Sequence, residues 1–227
     1  MNEIGKFFEV FENTEKQKLS LENQKIKPES GITLKESQEF WDNVFDSAIL
    51  DRISVEDKNK LGWSEEKIEK KCSIGENGII QYKTDCQHLE GKCSENGIPY
   101  ERKIVEINGV KIEGVFPVFH SVFDTEIPKE LYQSSSGKQF YECNNKLKEV
   151  IESNEKLRQQ FTKEQLQDIK NGDTPRGYTW HHNENPGKMQ LVKTKDHDRT
   201  IGGAAHTGGN SLWGNKAYET KKEGVSF

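Results

Sequence analysis

The sequence predicts an α+β protein in which a C-terminal ββα-metal unit follows helices, a β-hairpin region and an N-terminal helical segment. Three observations predict it. Apolar residues recur at helical spacing before about residue 70 and again between 138 and 171. Between those blocks lie short alternating runs with Asn-Gly turns. Four of the six histidines then fall between His181 and His206, around a short apolar run bounded by turn residues. The chain divides into an N-terminal helical region, 1–70, and a β-hairpin plus helical region, 71–227, whose histidine-rich core spans 174–215.

In order, Ile4, Phe7, Phe8 and Phe11, then Leu19 and Leu21, predict an amphipathic helix from Asn2 to about Asn23. Gln24 to Gly31 reads as a linker. Phe40, Trp41, Val44, Phe45, Ala48 and Ile49 form the buried stripe of a helix over Leu34 to Leu50, which reads as core. Ser64 is placed to cap a short helix with Glu65 and Glu66 in its first turn. Glu76-Asn77-Gly78 and Glu95-Asn96-Gly97 mark turns around a strand, Ile79 to Tyr82. Glu101–Glu106 and Val110–Val118 flank Asn108-Gly109, a type I′ hairpin signal.

Pro128 opens a turn, and Lys138 to Glu152 places Phe140, Cys143, Leu147, Val150 and Ile151 on one helical face. Ser153 is expected to cap a second short helix carrying Leu157 and Phe161. Thr162-Lys163-Glu164-Gln165 is a capping box whose helix ends at Asn171-Gly172. Asp173 to Gly177, with Pro175, returns the chain to extended structure. There are no internal repeats.

At 227 residues the chain can bury a sizeable core. Hydrophobic and charged residues each make up 31%, which is polar, but 11 Phe, 6 Tyr and 4 Trp exclude general disorder. A net charge of -5 argues against broad electrostatic attraction to nucleic acid. The segment Thr174–Phe227 is nevertheless mildly basic, with eight basic against five acidic residues. No run approaches a membrane span, and the N-terminus lacks the basic and apolar regions of a signal peptide. The expectation is a soluble chain with no membrane partner, carried by another vehicle if it acts outside its producer. Cys72, Cys86, Cys93 and Cys143 form no CxxC pair. Free thiols are the default; a Cys86–Cys93 disulfide and a zinc set of Cys72, Cys86, His88 and Cys93 are the alternatives.

Tyr178-Thr179-Trp180 favours a strand that delivers His181 and His182 to its end. Neighbouring side chains on a strand point to opposite faces, so the two histidines cannot share one role. One can ligate a metal while the other acts as a general base. Asn185-Pro186-Gly187 makes a turn, Met189 to Val192 returns as a second strand, and Thr194 to Asp198 leads to His197 on a short helix packing back over the hairpin. His206 follows nine residues later, with Gly202-Gly203 between. Two ligands on one helical turn would be three or four apart. Either a loop carries His206 back, or His197 is not a ligand; His181 and His206 rank ahead of it. His88 and His120 read as packed histidines, and Trp180 and Trp213 as core.

The ordered set Trp180-His181-His182, Met189-Gln190-Leu191-Val192, His197 and His206-Thr207-Gly208-Gly209 resembles the WHH-type branch of the HNH endonuclease superfamily. The segments Gly114 to Asp124 and Phe161 to His182 resemble the region ahead of that motif in toxin modules at the C-termini of bacterial Rhs and contact-dependent toxins. The resemblance spans about Gly114 to Trp213. It implies His181, His197 and His206 as ligands of one divalent ion (zinc, nickel, magnesium or manganese), His182 as general base and Gln190 as the amide that holds the motif loop. Lys188, Lys193, Lys195 and Arg199 are candidates for phosphate contacts, which position nucleic acid without reading sequence.

The same resemblance implies a metal-dependent nuclease, foremost a non-specific DNase, acting as an antibacterial toxin in the cytoplasm of a target cell. Its partners would be DNA and a cognate immunity protein, with a larger toxin or secretion system delivering it. An RNase of the same class is the variant reading. A binding module with a closed, four-coordinate structural zinc is the rival of another class.

Overall fold

The computed structural model describes residues 49–204 and 206–218. The helix and linker expected over 2–31 lie outside the described residues; of the helix expected over 34–50 only its end is described, and it is helical. Ser54 caps α1 (Val55–Leu61) and Ser64 caps α2 (Glu65–Lys71), each side chain accepting from a first-turn amide. Both helices carry acidic residues in the first turn and lysines in the last, as the helix dipole favours.

Two small sheets follow. β1 (Cys72–Ile74), β2 (Ile80–Tyr82), β3 (Tyr100–Ile107) and β4 (Val110–Pro117) form a sheet in the order β1-β2-β4-β3. The β3–β4 hairpin turns through Asn108 and Gly109 with φ of 51° and 86°, as the Asn-Gly signal predicted. β5 (Ser121–Glu126), β6 (Tyr178–His182) and β7 (Lys188–Lys193) form the second sheet, in the order β5-β7-β6.

Between β5 and β6 the chain forms α3 (Ser136–Ser153), α4 (Glu155–Arg158) and α5 (Lys163–Asn171). The Thr162/Gln165 capping box is present, and Gly172 ends α5 with a φ of 84°. The cap of α4 differs from expectation. Ser153 completes α3, and the Asn154 side chain accepts from Leu157 N at 3.0 Å. A short amide side chain caps as well as a hydroxyl, so the extra residue goes to α3. α3 buries Cys143, Leu147 and Ile151 as predicted, and also Gln139 and Asn144.

The main core joins Leu61, Trp63 and Ile68 to Ile112, Leu147, Trp180, Leu191 and Leu212. A smaller apolar cluster of Cys86, Tyr100, Val115, Phe119, Val192 and Ala204 lies between the two sheets. All four cysteines are free, so neither the disulfide nor the cysteine-based zinc set forms. His88 and His120 are exposed, contrary to the packed reading: His120 lies in the irregular link between β4 and β5, where Phe119 is the side chain that turns inward. No helix among the described residues is long and apolar enough to cross a membrane.

Candidate metal centre

The second sheet separates the histidine pair. β6 and β7 pair with His181 opposite Gln190 and His182 opposite Met189. β5 adds Asp124 opposite Gln190. One face therefore carries His181, Gln190, Val192 and Asp124; the other carries Trp180, His182, Met189 and Leu191 against α3.

On the first face three imidazoles meet. β7 runs directly into α6 (Thr194–His197), one turn that ends on His197. The chain then folds back on itself: Gly203 N donates to Asp198 O at 3.0 Å and Ala204 N to Asp196 O at 2.8 Å. A Cβ at Gly203 would lie 2.7 Å from Asp196 O and from Asp198 N and O, so only glycine allows that approach. This is how nine residues of separation close. Ring centroids are 5.5 Å apart for His181–His197, 4.9 Å for His181–His206 and 4.6 Å for His197–His206. Their potential ligand atoms lie within 4.8 Å of one another, and among the described residues no other His, Cys, Asp or Glu joins the group. Of the two alternatives left by spacing, the loop carries His206 back.

The surroundings fit a cation held by neutral imidazole. Phe119 packs on all three rings at 4.7 to 5.5 Å. Burial first, and mutual repulsion second, push the His181 imidazole well below its ordinary proton affinity. The same causes lower His197 to about 4. Burial also lowers His206, against a pull upward from its bond to the Ala204 carbonyl. That bond, His206 Nδ1 to Ala204 O at 2.9 Å, places the proton on Nδ1 and leaves Nε2 free to ligate, the usual way an outer partner orients a metal-binding histidine. The turn at Asn96 clamps the same loop, donating from its side chain to Lys195 O and Ile201 O and from its backbone to Gly202 O. Asp85 N donates to Thr207 Oγ1 at 2.9 Å, fixing the residue beside His206.

His182 lies on the opposite face, 9% exposed, against Phe140 and Trp213. Its Nε2 is 2.7 Å from Gln139 Oε1. The amide nitrogen of Gln139 donates to Leu131 O and Tyr132 O, both at 2.9 Å, so its oxygen must face the histidine. An amide oxygen only accepts; Nε2 therefore carries the proton and Nδ1 the lone pair. Burial lowers His182 to about 4, with a smaller contribution from Lys216. Sequence reasoning missed Gln139. Its signal was there: it sits four residues before Cys143, a polar residue on the apolar stripe of α3.

Gln190 is buried and ties strand to turn. Its oxygen accepts from Asn183 Nδ2 at 2.9 Å and its nitrogen donates to Asp124 Oδ1 at 3.2 Å. The Asn183 oxygen in turn accepts from the backbone and side chain of Asn185. A second unforeseen pair is Lys103 with Glu184, 2.7 Å apart, the carboxylate 4% exposed. Of the candidate phosphate contacts, Lys188 is paired with Asp124 at 3.0 Å, while Lys193, Lys195 and Arg199 are exposed around α6.

Fold and site together define a class: an α+β domain in which a hairpin and a one-turn helix gather three neutral imidazoles able to hold one metal ion. Comparison with protein families narrows it. Residues 108–208 match the family model of the DNase/tRNase domain of colicin-like bacteriocins, a segment that includes β4 to β7 and every histidine of the site. The match supports a nuclease of the toxin kind acting on nucleic acid. No curated protein and no solved structure matches the chain.

Proposed function

We propose that this chain is a metal-dependent nuclease of HNH type that cleaves phosphodiester bonds with little sequence preference, DNA foremost, as an antibacterial toxin with a cognate immunity protein. One observation carries the reading: three imidazoles converge without a fourth protein ligand among the described residues, inside the segment that matches the nuclease family. A closed structural zinc would have four protein ligands; three leave a position for substrate or water. His181, His197 and His206 would hold the ion, which when bound lends Lewis acidity toward a phosphate oxygen. His182 offers Nδ1 as the proton acceptor for an attacking water, its tautomer set by Gln139. Gln190 keeps the turn after the histidine pair in place through Asn183.

The test compares His182→Ala and His206→Ala with the parent for metal content and for cleavage of plasmid DNA and of tRNA. Cleavage lost with metal retained in His182→Ala, and metal lost in His206→Ala, is the expected pattern. A parent that holds metal but cleaves neither substrate, or a His182→Ala chain with full activity, overturns the reading.

A further inference from the structure

The last two residues of α2, Lys70 and Lys71, stand at the start of the β1–β2 pair, in which Cys72 faces Tyr82. Lys71 is therefore opposite Lys83, and Lys83 N donates to Lys71 O at 2.6 Å. Beside them runs a groove of about 530 Å³ lined by Lys70, Lys71, Gln81, Lys83, Asp85 and His88 among others. Three lysines line it, in a chain whose net charge is -5; Lys70 is paired with Glu66 at 2.6 Å and Lys71 with Asp85 at 3.4 Å, both at the surface, where such pairs are weak and exchangeable. The C-terminal end of a helix accounts for Lys70 and Lys71. It does not account for Lys83, which is exposed, follows a strand and makes no ion pair among the described residues. Like charges at facing positions repel, and Asp85 offsets only Lys71, so a bound anion would offset the charge left at Lys83. The groove also adjoins the histidine centre: the backbone of Asp85, in its wall, is bonded to Thr207, the neighbour of His206.

We propose that this groove carries the phosphodiester backbone flanking the bond to be cut, with Lys70, Lys71 and Lys83 neutralising its phosphates. The inference rests on the nuclease reading of the histidine centre and adds a substrate track outside residues 108–208. Lysine contacts of this kind position a backbone and do not select bases.

The experiment uses the full chain, with Lys70→Ala/Lys71→Ala/Lys83→Ala set against a control of equal charge, Lys111→Ala/Lys129→Ala/Lys156→Ala. Binding of a fluorescent 20-bp DNA duplex and of an RNA hairpin of equal length is followed by anisotropy in chelator, from 50 to 200 mM salt. Metal uptake and hydrolysis of bis(p-nitrophenyl) phosphate, which has no backbone to fill a groove, are measured separately. The groove variant should bind the preferred probe about tenfold or more weakly, with a salt slope smaller by roughly two to three, because each neutralised phosphate contributes about 0.7 to 0.9. Its metal uptake and small-substrate hydrolysis should be unchanged, and the two probes decide between DNA and RNA. Affinity within twofold of the parent on both probes, or an equal loss in the control, overturns the inference. Should the triple variant lose structure, Lys83→Glu alone, at an exposed and unpaired position, must show the same direction of change. A parent that binds through these lysines but hydrolyses neither substrate removes the nuclease reading and leaves the groove; cleavage with lysine-independent binding does the reverse.

Discussion

Acidification of the metal-free chain should destabilise it, and His182 supplies a share that one substitution isolates. The folded protein holds this imidazole down at about 4, from an ordinary 6.5, because its ring is buried against Phe140 and Trp213. For a base whose folded value is depressed, the stabilising contribution is complete above the unfolded value. It is lost as pH falls from 6.5 toward 4. Integrated down to pH 4.5, the shift corresponds to about 2.5 kcal/mol from this residue alone, at about 1.4 kcal/mol per unit. Net stabilities are only about 5–15 kcal/mol, so the loss is a large fraction of the whole. His182→Gln provides the comparison, since its amide can still donate toward Gln139 and does not titrate. Urea unfolding of both metal-free chains at pH 7 and pH 4.5 gives four free energies. The parent should lose about 2.5 kcal/mol more than the variant across that interval, since the carboxylates and the other three lowered histidines, His181, His197 and His206, are common to both chains. A difference below about 1 kcal/mol, or an NMR titration of His182 with its midpoint near 6.5, refutes the burial argument.

Three further outcomes rest on neighbouring contacts. Gln139→Met keeps the volume but removes the partner of His182 Nε2; cleavage should fall about a hundredfold with metal content unchanged, and activity within threefold of the parent would exclude a positioning role. Lys103→Ala leaves the buried Glu184 carboxylate without its cation and should cost about 3 kcal/mol, read as a fall in Tm of roughly 6–12 °C; a change under about 2 °C would mean that Glu184 finds another partner. Gly209→Ala drives a Cβ into the Asn183 carbonyl oxygen and the Trp213 indole nitrogen, so the chain should be destabilised by about 2 kcal/mol or more in urea, and parent-like stability would show that the loop after His206 can yield.

Local chemistry was legible in the sequence and assembly was less so. Ser64, Thr162/Gln165, Gly172 and Asn108-Gly109 each act through bonds or dihedrals within a few residues, and the structure has them as read. β5 escaped because its partner β7 lies more than sixty residues away, and three-residue β1 is too short to show alternation. The histidine cluster shows the same divide. Spacing alone argued against His197 beside His206, since a regular helix cannot join them. The backbone reversal through Gly202-Gly203, held by Asn96 from another loop, supplies what helical periodicity cannot express. Gln139 was hidden by a habit of reading a helix stripe as apolar; an amide inside that stripe with no exposed side to turn to needs a buried partner.

The alternation of β6 puts two adjacent histidines in different environments. On one face, burial first, and repulsion between His181, His197 and His206 second at the first two, keep the imidazoles neutral, the state in which they could hold a cation. On the other face, a single imidazole is held in one tautomer by an amide that is itself pinned to two backbone carbonyls. The two environments meet at Asn183, directly after the pair. Its side chain donates to Gln190 and Glu184, its oxygen receives Asn185, and its carbonyl accepts from Trp213, which packs on His182. A buried network in which every member is satisfied rigidifies the point it surrounds. Here that point is the strand end from which one histidine turns to the three-imidazole face and the next to the core.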